Sequence, residues 1–83
     1  MPRTLDLASY KWLIGQLKGA RETSGITQDA LAKSLGRPQS FIAKTENLDR
    51  RLDVIEFIDL CLALEVDVGT LTQMAAKRTK RLK

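Results

Sequence analysis

Gly36 and Pro38, two positions apart in the middle of QDALAKSLGRPQSFIAKTEN (residues 28–47), leave that stretch little conformational choice. Thr27 suits the N-cap of a helix from Gln28 to Leu35, whose apolar side carries Leu31, Ala32 and Leu35. Gly36 follows at once, where a left-handed residue costs least. Pro38 disfavours helix at Arg37 and suits the opening of a next helix, Pro38 to Glu46. The spacing predicts two short helices set at an angle across a turn of about three residues. Ile42 and Thr45 face inward on the second, and its polar side chains face out.

Helical periodicity extends to both sides. Tyr10, Leu13, Ile14, Leu17 and Ala20 recur at the spacing of an amphipathic helix from Ser9 to Ser24, ended by Gly25. Ser9 is the N-cap candidate, or the boundary lies nearer Asp6. Asn47 to Leu52 reads as a polar loop. Asp53 with Glu56 forms a D-x-x-E capping box that opens a fourth helix to about Leu64. That helix is apolar on more than one side. Asp67 caps a fifth helix bearing Val68, Leu71, Met74 and Ala75. No segment alternates as a half-buried strand does, so the expected fold is all-α, a compact five-helix domain over residues 1–76 with a basic tail at 77–83.

The 83 residues suffice for one modest core, and with 5% aromatic residues that core is aliphatic. The longest apolar stretch, Ile58 to Leu64, is too short to span a bilayer, and the N-terminus lacks the apolar core of a secretory signal. A single cysteine excludes an internal disulfide, and the expected compartment is the cytoplasm. Cys61 lies in an apolar helix and reads as core or interface. The net charge of +4 misleads. The last seven residues, KRTKRLK, hold five bases, whereas the preceding 76 hold 9 basic and 10 acidic side chains. Within that near-neutral body the charge is polarised. Lys33, Arg37, Lys44, Arg50 and Arg51 face only Glu46 and Asp49 between positions 33 and 51, and residues 53–67 carry five acids and no base. Such a body can turn one face to a polyanion.

Catalysis finds little support. There is no histidine, one apolar-flanked cysteine and no phosphate-cradling glycine loop. Neither a metal nor another cofactor is expected, and no small-molecule ligand is evident.

The segments TQDALA, LGRPQSFIAKTEN and RRLDVIEFIDLCLALEVD, in that order, resemble the Cro/cI-type (XRE-like) helix-turn-helix family over about residues 9 to 75. The family's small residue at the helix crossing is matched by Ala32, its turn glycine by Gly36, and its branched apolar residue inside the recognition helix by Ile42. The resemblance also implies an ion pair between Arg21, late in helix 1, and Glu46, closing helix 3. Both are read as structural. Two positions depart from the pattern. Leu48 stands where the family commonly has glycine, which shifts the left-handed conformation to Asn47. Thr45 replaces the usual aliphatic residue.

The resemblance implies double-stranded DNA as partner, with the start of helix 3 in the major groove. Gln39, Ser40 and Lys44 are then the base-reading candidates, Gln39 by bidentate pairing with adenine. Gln28, opening helix 2, is placed against a phosphate. Arg37, Asn47, Arg50 and Arg51 are the flanking backbone contacts. Phe41, grouped with them, either packs over the start of helix 2 or touches a thymine methyl or a sugar. The basic tail either embraces the DNA backbone or merely solubilises the chain. The implied function is a transcriptional regulator, a repressor that binds an inverted repeat as a homodimer. Surplus apolar surface on helices 4 and 5 is the candidate interface, unless helix 4 is wholly buried. An antitoxin and a restriction-modification controller are the alternatives on the same domain.

Overall fold

Backbone donors and carbonyls left over at helix ends decide where this chain bends. The computed structural model describes residues 7–79, within which lie five helices and no strand: α1 (Ala8–Thr23), α2 (Gln28–Ser34), α3 (Gln39–Glu46), α4 (Val54–Ala63) and α5 (Val68–Arg78). Three starts carry the side-chain caps read from the sequence. Thr27 accepts from the Ala30 amide and Asp67 from that of Thr70, while Asp53 and Glu56 complete a reciprocal capping box. The Ser9 expectation is corrected: Leu7 occupies the N-cap of α1 without a side-chain bond, and Ser9 is already helical. Pro38 likewise sits at the N-cap of α3, one residue before the helix.

Four helices end in the same backbone closure, a left-handed residue whose successor's amide bonds back to the carbonyl five positions earlier. Gly25 does this after α1 (Ile26 N to Arg21 O, 3.1 Å) and Gly36 after α2 (Arg37 N to Ala32 O, 2.9 Å). At the other two sites the left-handed residue is not glycine. Leu48 follows α3 with φ 64° and Glu65 follows α4 with φ 57°. Asn47, expected to take that role, has φ −83°. The two bonds from Leu48 and Asp49 back to Thr45 and Lys44 satisfy the last carbonyls of α3, and the Leu48 side chain packs on the core. An L-residue in this conformation costs about 1–2 kcal/mol. Leu48→Ala should therefore be more destabilising than Leu48→Gly by about 1 kcal/mol in urea unfolding, because alanine keeps the strain and loses the packing. Ordinary apolar truncation gives the opposite order.

One core joins all five helices: Ile14 and Leu17 from α1, Leu31 and Ala32 from α2, Phe41 and Ile42 from α3, Leu60 and Cys61 from α4 with its cap Leu64, and Leu71 from α5. Ala32, 1% exposed, lies where α2 and α3 pack closely. Thr45 is buried too, and its hydroxyl donates to the Phe41 carbonyl at 2.7 Å, so the polar atom on the inner face of α3 is satisfied. Cys61 is fully buried, and burial pushes its thiol up from the usual range. Tyr10 ties α1 to the far loop by accepting the Leu52 amide at 3.1 Å.

Helix α4 is not wholly buried. Leu60 and Cys61 face in, but Val54, Ile55 and Leu62 are 71%, 66% and 66% exposed, and Met74 on α5 is also exposed. Helix α5 runs past the expected boundary at Lys77 and ends at Arg78, whose guanidinium carbon lies 4.4 Å from the centre of the Trp12 ring. The rest of the basic run, residues 80–83, lies outside the described residues, as does Asp6. None of the described helices is long and apolar enough to cross a membrane.

Candidate nucleic-acid interface

The inner side of α3 is fixed by Phe41, Ile42 and Thr45, so its opposite side must face solvent. That outward side carries Gln39, Ser40, Lys44 and Asn47, all exposed, with half-buried Ala43 among them. Ala43 was missed in the sequence because an alanine carries no polar signal. Only its place between Gln39 and Asn47 at four-residue spacing puts it on the ridge.

Behind this ridge stands the ion pair implied by the resemblance. Arg21 grips Glu46 through two parallel bonds, Nε to Oε2 at 2.6 Å and Nη2 to Oε1 at 2.9 Å, with both side chains mostly buried. Its third contact, Nη1 to the Ile26 carbonyl at 2.9 Å, anchors the turn before α2. The hydrogen bond to Glu46 raises the Arg21 pKa above its ordinary value, against the opposing effect of burial.

The pair continues outward. Gln28 donates its amide Nε2 to Glu46 Oε1 at 2.9 Å, and Gln39 donates its own Nε2 to Gln28 Oε1 at 3.0 Å. Gln28 is thus half-buried and bonded through both ends of its amide, rather than free at the helix start as expected for a phosphate contact. Its link to Gln39 crosses from α2 to α3 and holds the first base-reading candidate against the scaffold.

Several expected backbone contacts are placed differently. Phe41 is 5% exposed and belongs to the core, which removes it from the surface set. Its ring lies 3.9 Å from the Arg37 guanidinium carbon and 4.8 Å from that of Arg50. Both arginines also bond Glu56 on α4, Arg37 Nη1 to Oε2 at 3.2 Å and Arg50 Nη1 to Oε1 at 3.0 Å. The residues before and after α3 are therefore clamped to α4, and the basic and acidic runs of the sequence partly neutralise one another. Lys33 pairs with Asp29 on the surface. Asn47 and Arg51 are exposed, as expected of flanking contacts. No cluster of metal-ligating side chains is found among the described residues.

Glu56 offers a solution test of this clamp. Its carboxyl is held below the ordinary glutamate value of 4.5, first by the Arg50 hydrogen bond and further by the Asp53 amide and Arg37, with burial opposing. A depressed carboxylate contributes stability that is complete above its unfolded value and is lost as pH falls through its folded value. Wild type should therefore lose stability on acidification below about pH 4.5 more steeply than Glu56→Gln. Parallel acid slopes in urea titrations would place the clamp's contribution elsewhere.

A solved XRE-family like protein from Pseudomonas syringae pv. tomato str. DC3000 is similar to this chain, with 49% identity over 88% of this chain and 89% of that one, and a TM-score of 0.81. No protein-family model and no curated protein matches the sequence.

Proposed function

The chain belongs to the XRE family, and from that premise we propose that it is a DNA-binding transcriptional regulator, a repressor that grips an inverted-repeat operator as a homodimer with α3 in the major groove. The observation that carries the reading is the outward ridge of α3. It presents an amide, a hydroxyl and an ammonium (Gln39, Ser40, Lys44), on a helix locked from behind by Arg21 and Glu46. Rigid display of polar groups on a short helix is what direct readout of base edges needs. Phosphate contacts come from Asn47 and Arg51, which are exposed beside α3. Arg37 and Arg50 take part only through the donors that Glu56 leaves them.

One recognition helix reads few base pairs, and a two-fold copy doubles both contacts and specificity. The exposed Val54, Ile55 and Leu62 on α4 supply an apolar surface suited to such a pairing.

Gln39→Ala tests the assignment. Discrimination at one base pair of the half-site should fall by about 1–3 kcal/mol, while binding to unrelated duplex at the same salt stays unchanged. Fluorescence anisotropy on matched and mismatched duplexes reads both. Unchanged discrimination would take Gln39 out of the base-reading role.

A further inference from the structure

The cations around α3 differ in what holds them. Lys44 and Arg51 have no ion-pair partner among the described residues, whereas Arg37 and Arg50 share the carboxylate of Glu56. Arg37 stands before α3 and Arg50 in the loop after it, so Glu56 reaches both flanks of that helix from the first turn of α4. The carboxylate stays ionised at neutral pH, since the Arg50 hydrogen bond, the Asp53 amide and Arg37 hold it below its ordinary value against burial. The Phe41 ring adds a second restraint, with the two guanidinium carbons 3.9 Å and 4.8 Å from its centre. Both arginine side chains remain about a third exposed, so a phosphate can reach them, while Glu56 lies beneath. One carboxylate between two guanidinium groups cancels half of their charge. To give a phosphate its full fork of donors, either arginine must let go of Glu56 and shift from the ring.

We propose that Glu56 restrains sequence-independent DNA binding: by holding Arg37 and Arg50 against α4 it weakens their pull on backbone phosphates, so that tight binding depends on the base contacts of α3. Glu56 determines specificity in this role although it touches no DNA. The inference rests on the reading of α3 as the base-reading helix. Attraction to phosphates supplies essentially all of non-specific binding and only a share of specific binding. On a preferred site α3 fixes the register, and a freed arginine gains only the phosphates that register puts in reach. On unrelated duplex the protein can slide to meet them. Release of the arginines therefore favours unrelated duplex more than the preferred site.

Glu56→Gln isolates the charge, because glutamine still completes a capping box with Asp53. It is compared with wild type, with Arg37→Met/Arg50→Met, and with all three changes combined, each shown folded by circular dichroism at the assay temperature. Methionine removes the charge and keeps an apolar stem against Phe41. Fluorescence anisotropy follows binding to an unrelated duplex across a range of salt. Glu56→Gln should bind it about threefold to thirtyfold more tightly than wild type. The slope of log affinity against log salt should steepen by about 1–2. Both gains should vanish in the combined variant. On a site recovered by selection from random DNA the gain should be smaller, so preference for that site falls. A second comparison leaves Glu56 in place: Arg51→Met should flatten the wild-type salt slope more than Arg50→Met, whose charge Glu56 already shares. Equal affinity and slope in Glu56→Gln and wild type, a gain that persists without the two arginines, an undiminished preference, or the reverse order for Arg50 and Arg51 overturns the proposal and leaves α3 as the reader. Failure of wild type to recover any site overturns the reading of α3 itself.

Discussion

Glu46→Ala should destabilise the protein by about 3–5 kcal/mol, against a total stability of about 4–12 kcal/mol for a chain of this length. The cause is the charge left behind. Arg21 is 11% exposed in its side chain, and without Glu46 its guanidinium keeps only the Ile26 carbonyl. The Gln28 amide loses its acceptor as well. Urea unfolding should show the drop, and the double variant Arg21→Ala/Glu46→Ala should lose less than the two single changes added together, because no buried charge then remains. A loss under about 1 kcal/mol for Glu46→Ala would put the pair among surface ion pairs and remove its scaffold role.

Ile42→Ala should cost about 2–5 kcal/mol. Ile42 is 1% exposed and is one of the two largest fully buried side chains among the described residues. It borders a small cleft with Ile14 and Leu17 of α1, Leu31 of α2, and Leu60 and Leu64 at the end of α4. Removing three carbons there leaves a cavity facing three other helices, α1, α2 and α4, with little room to collapse because Ala32 already lets α2 and α3 pack closely. Base preference among molecules that stay folded should be unchanged, since Gln39, Ser40 and Lys44 lie on the other side of α3. A loss below about 1 kcal/mol in urea unfolding would mean that α3 is held chiefly by the polar contacts of Glu46 instead.

What the sequence showed of this fold was mostly local. Caps at Thr27, Asp53 and Asp67 and the endings at Gly25 and Gly36 each involve residues within a turn of one another, so residue type alone carries the signal. Leu48 and Glu65 escaped that logic. Their left-handed conformations are held by backbone bonds and neighbouring helices, which a side chain does not advertise. The partners of Arg37 and Arg50 were also out of reach, because Glu56 lies on another helix and the run of bases looked free without it. Phe41 was ambiguous for a related reason: its burial depends on α4 arriving beside it. Of the candidate site, the identity of the outward ridge was legible from helical spacing. The bond between Gln28 and Gln39 was not, since it depends on how α2 and α3 cross.

Whether α3 reads base edges in duplex DNA is decided by selecting bound sequences from a pool of random duplexes with the purified protein. The expected product is a short inverted repeat whose half-site centres lie about 10–10.5 base pairs, or a multiple of that, apart. Recovered sequences indistinguishable from the starting pool would contradict base reading by α3.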